Sequence, residues 1–247
     1  MTQGYDYGRA GIVGVGTPQA NPTVEAEMRL LLPASMLPVV ARLTSAEPEP
    51  LARLRDYLER LDSALGQYDT LKPAAFGFAC TGSSYLLPPG REAALIAELE
   101  DRFGYPVVTA TAAIARMLER VGARRIALVS PYPPALADAA AAYWQAQGFE
   151  LAVVRRVDTG SGDTRSIYTL GSADARDAAM SAAALDCDVV LLSGTGMPSL
   201  ALLADPPAGA PLLSSNLCLA TELCRAVGAP EPDRSVWAPR LAEALAA

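Results

Sequence analysis

The 247-residue chain contains no histidine. That absence removes Ser-His-Asp and Cys-His nucleophilic mechanisms and every histidine-ligated zinc, haem or non-haem iron site. Acid–base chemistry is left to Cys, Asp, Glu, Tyr or Lys. Aromatic residues are few, though the composition is otherwise that of an ordinary soluble globular chain. Basic clusters are missing too, and the formal charge is −7. This excludes a nucleic-acid surface and a polybasic membrane patch, so any bound anion must be held by local donors rather than by a global positive field. No apolar run approaches the 18 residues of a membrane-spanning segment. The opening stretch MTQGYDYGRAG has neither an apolar h-region nor an Arg-rich amphipathic helix, and no export or transit signal is read there. The four cysteines, Cys80, Cys187, Cys218 and Cys224, form no CxxC pair, which reads as reduced thiols of a cytoplasmic protein. Gly14-Val15-Gly16 and Gly194-Thr195-Gly196 both fail to complete GxGxxG, since Gln19 and Ser199 stand at the sixth positions, and GxxxxGK[ST] is absent. No nucleotide is therefore expected.

What the chain does have is a rhythm of short apolar runs and amphipathic segments. Strands are predicted over 11–15, 36–43, 75–79 and 107–109, with helices from Thr23, over 50–65, 91–103 and 111–121. Thr23 can cap the first helix, whose first turn carries Glu25 and Glu27 to complement the helix dipole. The order then restarts, with strands over 125–129, 150–157, 189–192 and 211–213 and helices over 135–147, 173–185, 217–227 and 237–246; 158–168 is a polar loop. The halves also match in register. Ile12-Val13-Gly14-Val15 aligns with Ile126-Ala127-Leu128-Val129, and Cys80-Thr81-Gly82 with Gly194-Thr195-Gly196, both at an offset of 114 (194 − 80). The chain is read as two α/β repeats, 1–122 and 123–247, with parallel sheets, the last helix packing back on the first repeat. Ligands of such sheets bind beyond the carboxyl ends of the strands, which sets the Cys80 loop and the Gly194 loop on opposite walls of one cleft.

The Cys80 loop is the strongest chemical candidate. An apolar strand delivers the cysteine into Thr81-Gly82-Ser83-Ser84, a run of small residues rich in backbone N–H and hydroxyl donors. Those donors, with a following helix dipole, could lower the thiol pKa and could hold a carboxylate or the enediolate made from it. Thr81, Ser83, Thr195 and Tyr132 add neutral donors. The competing reading of a cysteine is a small buried hydrophobe; it is preferred for Cys187, Cys218 and Cys224. Asn21, before Pro22, also reads as a turn residue, and Tyr132 as a surface turn aromatic. Asp163 and Arg165 read as solvated loop charges.

Five stretches together resemble the aspartate/glutamate racemase superfamily, in its branch of maleate cis–trans isomerases and arylmalonate decarboxylases. They are 18–25, 79–83, 129–133, 192–195 and 214–216, and the likeness covers nearly the whole chain. The resemblance implies two pseudo-symmetric Rossmann-like, flavodoxin-like domains with the active site in the cleft between them, and chemistry without metal or organic cofactor. It puts Cys80 at the position of the isomerase nucleophile. Asn21 and Tyr132 fall where substrate carboxylates are bound, and Thr81, Gly82, Ser83, Gly194, Thr195 and Gly196 line the same site. Two departures stand out. Gly194 occupies the second cysteine position, so a two-thiol racemase mechanism has no support, and the decarboxylases carry their single thiol on the opposite loop. Thr164 stands where an isomerase asparagine is expected. The activity implied is a maleate isomerase-like isomerisation of a small dicarboxylate with Cys80 as nucleophile. Decarboxylation of a substituted malonate with Cys80 as proton donor is the alternative, with Met197, Leu200 and Leu87 as apolar walls; a non-catalytic carboxylate-binding protein is the third. A homodimer or another homo-oligomer is left open.

Overall fold

The computed structural model describes residues 5–88 and 90–246. The first four residues of the stretch read for signals, and the outermost ends of both predicted repeats, lie outside that range. The first sheet consists of β1 (Gly11–Pro18), β2 (Met36–Leu43), β3 (Ala75–Phe78) and β4 (Val107–Thr109), and the second of β5 (Arg125–Ser130), β6 (Glu150–Arg156), β7 (Val189–Leu192) and β8 (Leu212–Ser214). Every pairing is parallel, and the orders β2-β1-β3-β4 and β6-β5-β7-β8 are the same. The duplication read in the sequence is thus the duplication of the fold. The innermost strands β3 and β7 are buried along their whole length, as continuous apolar runs in a helix-covered parallel sheet must be.

Eleven α-helices are described: α1 (Thr23–Leu31), α2 (Pro50–Glu59), α3 (Leu61–Gly66), α4 (Thr81–Tyr85), α5 (Arg91–Phe103), α6 (Ala110–Arg120), α7 (Pro134–Ala146), α8 (Arg176–Ala183), α9 (Leu200–Ala204), α10 (Ser215–Val227) and α11 (Arg234–Ala246). The helix predicted over 50–65 is broken at Arg60, whose ψ of 25° ends α2 and lets α3 change direction while Leu54, Leu58, Leu61 and Leu65 all stay buried. Thr23 does not cap α1. Its backbone N–H donates to Asn21 Oδ1 at 3.0 Å and its hydroxyl to the Gly196 carbonyl at 2.9 Å, so the predicted cap ties the two halves together instead. The short helices α4 and α9 carry Gly and Ser or only five residues, too little for a helical period to show.

The halves interlock. Helix α10 packs on β3, β4 and α6 of the first half. Gly77 is bare because a Cβ there would stand 3.0 Å from Leu223 Cδ1 and 3.3 Å from Leu219 Cδ1. Helix α11 touches α9 and α1, and Arg240 donates to the carbonyls of Leu30 (3.0 Å) and Arg29 (2.6 Å).

Candidate active site

Strand β3 ends one residue before the Ala79-Cys80 step, and Cys80, in extended backbone (φ −151°, ψ 94°), is the N-cap of α4. A residue at that point lies beside the first amides of the helix, but the Cys80 side chain makes no capping hydrogen bond with them. Ser83 Oγ donates to Cys80 Sγ at 3.1 Å, and the backbone N–H groups of Gly82 and Ser83 are close enough to favour the thiolate. Cys80 is 4% exposed. Burial pushes the thiol above its ordinary pKa, and the three donors only partly offset this. The expectation that loop donors and helix dipole lower this pKa is therefore corrected: α4 has five residues, and desolvation outweighs its short dipole. At neutral pH Cys80 is a thiol.

Cys80 opens on a cavity of about 20 Å3 lined by Pro18, Leu54, Thr81, Gly82, Tyr132, Thr164, Ile167, Tyr168, Gly194, Thr195 and Gly196. That volume holds roughly one water. Both symmetric loops face it, and bonds across the cleft hold them together. Thr195 Oγ1 donates to the Ala79 carbonyl at 2.8 Å, and the hydroxyls of Tyr85 and Ser193 pair at 2.7 Å. The hydroxyls of Thr81 and Tyr132 pair with each other. Tyr132 is buried, and desolvation pushes its pKa well above the usual phenol value, so it is a neutral donor and not a base.

The predicted donors are thus sorted by present duty. Thr81 and Tyr132 line the cavity as one hydroxyl pair, Ser83 orients the sulfur, and Thr195 spends its hydroxyl on holding the loops. The Gly194 N–H donates to Ser215 Oγ at 3.1 Å. Asn21 is fully buried, and its Nδ2 has no partner among the described residues; the same holds for Thr17 Oγ1 and Ser130 Oγ. All three lie at or just beyond the carboxyl ends of β1 and β5, the edge where the fold places its ligands. Thr17 and Ser130 went unread in the sequence, although their place at the last positions of two apolar strands was the available signal.

Gly194 has φ +130°, a conformation that L side chains rarely adopt. A Cβ there would lie 3.0 Å from Pro131 Cδ and 3.6 Å from the Tyr132 hydroxyl. The second thiol position is thus shaped for glycine.

The apolar walls also differ from expectation. Leu54, Ile167, Tyr168 and Pro18 line the cavity, while Met197 and Leu200 are core residues outside its lining. Leu87 lines a separate groove of about 860 Å3 between α5, α6 and α7. That larger groove contains no thiol. Its Glu92 is committed to accepting from Ser84, Thr111 and Tyr143, so the thiol-bearing small cavity is the better candidate for chemistry. Cys218 and Cys224 are buried in α10, and burial raises their pKa to about 12 and about 11. Asp163 is not a free loop charge: Arg165 and Arg53 both bind it, and the Arg165 side chain foremost holds its pKa down at about 2. Glu27, read as a partner of the α1 dipole, is buried and accepts from Ser199 N–H (2.6 Å), Leu200 N–H (3.1 Å) and Asn216 Nδ2 (2.7 Å) of the second half. Burial raises its pKa, and these donors act against that rise.

A model of the arylmalonate decarboxylase family matches residues 74–236. The chain belongs to that family. Among curated proteins, the maleate isomerase of Nocardia farcinica (strain IFM 10152) is 28% identical over 232 residues, covering 88% of this chain and 90% of its own. Two solved structures share the fold. One is a cysteine-to-serine variant of a Nocardia farcinica maleate cis–trans isomerase with a covalently bound succinylcysteine intermediate; it is 23% identical, covers 89% of this chain and 93% of its own, and superposes with a TM-score of 0.75. The other is a liganded arylmalonate decarboxylase in which one glycine is changed to cysteine and one cysteine to serine, 21% identical, covering 88% and 92%, with a TM-score of 0.74.

Proposed function

We propose that this enzyme is a cofactor-independent, cysteine-dependent isomerase of a small dicarboxylate, similar to maleate isomerase, with Cys80 as nucleophile. The single observation that carries the reading is Cys80 Sγ at the N-cap of α4, facing a small cavity with hydroxyl and amide donors around it. The two repeats, divided between 122 and 123, each contribute one loop to that cavity. In the reaction, Cys80 gives its proton to water and the thiolate sulfur bonds to C2 of a maleate-like substrate. The electron pair of the double bond moves onto the far carboxylate as an enediolate. Rotation about the new C2–C3 single bond follows, the pair returns, and the S–C bond breaks to release the trans acid and the thiolate. The enediolate is held by neutral donors, for which the Thr81–Tyr132 pair and the unpartnered Asn21 amide are suited. No second thiol enters this sequence, which agrees with Gly194. The succinylcysteine adduct of the Nocardia farcinica relative, present with one of its cysteines replaced, supports a one-thiol addition.

The test is incubation with maleate, proton NMR for fumarate, and peptide mapping for a substrate adduct on Cys80. Fumarate formation that survives unchanged in Cys80→Ser would overturn the reading.

One specific observation favours decarboxylation as a second reading. The two exchanged positions of the decarboxylase variant lie 114 residues apart, the separation of Cys80 and Gly194, and the exchange puts its thiol on the earlier one. A buried, protonated Cys80 also fits a proton donor. There the C–COO⁻ bond breaks, CO₂ leaves, the pair stays as an enediolate, and Sγ–H protonates carbon. CO₂ release from phenylmalonate without maleate turnover selects this reading; dicarboxylate binding with neither reaction selects a binding protein.

A further inference from the structure

The cavity beside Cys80 holds about one water, yet a four-carbon dicarboxylate is several times larger. One wall must therefore move to admit it. The strand-end loops and α4 are tied across the cleft by Thr195–Ala79, Tyr85–Ser193 and Thr81–Tyr132. The segment 163–169 is held differently. It is a 3-10 turn, Thr164–Thr169, that supplies Thr164, Ile167 and Tyr168 to the cavity, and Asp163 caps it by accepting from Arg165 N–H at 2.9 Å. The same Asp163 Oδ1 accepts from Arg53 Nη2 at 2.7 Å. Arg53 lies on α2 beside the cavity-lining Leu54, and Asp163 beside the cavity-lining Thr164, so this ion pair ties the turn of one half to the α2 wall of the other just behind the cavity lining.

Arg53 is 3% exposed. Its remaining contacts are long, 3.5 Å to each of the carbonyls of Glu47 and Pro48, and Asp163 is its carboxylate partner. Asp163 is one-third exposed and has Arg165 as a second partner, so it can leave without losing all compensation. Arg53 cannot: a buried guanidinium without a carboxylate is costly. Any carboxylate arriving as the turn lifts meets a guanidinium already held in place, whose Nη2 donor Asp163 has vacated.

We propose that Arg53 is the specificity-determining cation of the site, holding Asp163 in the closed form and exchanging it for the far carboxylate of the substrate when the 163–169 turn opens. This rests on the dicarboxylate reading above. The exchange lets a protein of net charge −7 discriminate a dianion from a monoanion with one buried charge. Cys80 and Arg53 both lie close enough to Tyr57 and Tyr168 to act on these phenols electrostatically, which puts the two groups in one neighbourhood.

The experiment is calorimetric binding of succinate, which cannot isomerise, and of its monomethyl ester. It uses the wild-type protein, Arg53→Gln, Arg53→Lys and Asp163→Asn, each checked by thermal melting. The wild type is expected to prefer succinate by about tenfold or more. Arg53→Gln should weaken succinate about 10–100-fold and erase that preference, the size of a lost charged hydrogen bond. Arg53→Lys should restore part of it. Asp163→Asn keeps the turn cap but removes the internal competitor, and should bind succinate several-fold tighter. Wild-type affinity and preference in folded Arg53→Gln overturn the proposal, as does weaker succinate binding in Asp163→Asn. If Arg53→Gln does not fold, the Lys and Asn variants decide by the same criteria. If the wild type binds neither acid, the dicarboxylate reading itself falls, and the proposal with it.

Discussion

The loops after β3 and β7 occupy the same place in two copies of one sheet, yet they do different work. The first runs straight into a helix, so its cap residue, Cys80, receives the Ser83 hydroxyl on its sulfur. The second turns sharply at Gly194 (φ +130°), gives its N–H to Ser215, and sends Thr195 across to hold Ala79. Duplication supplied two equivalent positions, and backbone geometry made one chemical and the other supporting. Variants that should separate these roles follow from this.

Cys80→Ser should remove turnover by about 10³-fold or more, as loss of a covalent nucleophile does, while the melting temperature stays near wild type because the change is nearly isosteric. Progress curves by NMR together with thermal melting check both halves of the statement. Equal loss of stability and activity would mean that Cys80 is a packing residue after all.

Glu27→Ala attacks what joins the halves. It leaves Ser199 N–H, Leu200 N–H and the Asn216 amide buried without their acceptor. A cost of roughly 2–4 kcal/mol is expected in urea unfolding, with Glu27→Gln costing less because it keeps an acceptor. Gly194→Cys tests the supporting loop. Placing a side chain at φ +130° and 3.0 Å from Pro131 should cost about 1–3 kcal/mol and lower the melting temperature by several degrees. It should not confer racemisation, since the loop is not shaped to present a thiol. Racemisation of a 2-aryl acid by this variant would show that the two loops are interchangeable.

The contrast also explains what could be read from the sequence. Both sheets, the repeat and the convergence of Cys80, Tyr132 and Gly194 were legible because apolar strands and their ends repeat at a fixed offset. The break at Arg60 was not, because Leu58, Leu61 and Leu65 keep a helical spacing through it. Asp163 was misread as solvated, and the cross-half role of Glu27 went unseen, because their partners, Arg53, Ser199 and Asn216, lie 110 to 189 residues away in sequence. The raised pKa of Cys80 was missed for a related reason: donors are local and visible in the chain, whereas desolvation comes from everything packed around the sulfur.

That raised pKa yields the gentlest test, one that leaves the chain unmutated. Burial lifts the thiol above its ordinary value near 8.5, so the thiol form persists through neutral pH. If Cys80 acts as a nucleophile, kcat/KM for maleate should climb by up to tenfold per pH unit above neutrality and reach no plateau until beyond that ordinary value. If Cys80 acts as a proton donor, the rate should be flat through neutral pH and fall only as the thiol ionises. A rate that rises between pH 7 and pH 9, rather than one that stays flat or falls, therefore separates addition from proton delivery. The raised value also means that ionisation at high pH opposes folding, since the fold favours the neutral thiol. The contribution is complete below the unfolded-state thiol pKa and is lost as pH rises through the folded one. Rates at the alkaline end must accordingly be divided by the folded fraction, measured by far-UV circular dichroism at the same pH, before the slope is read.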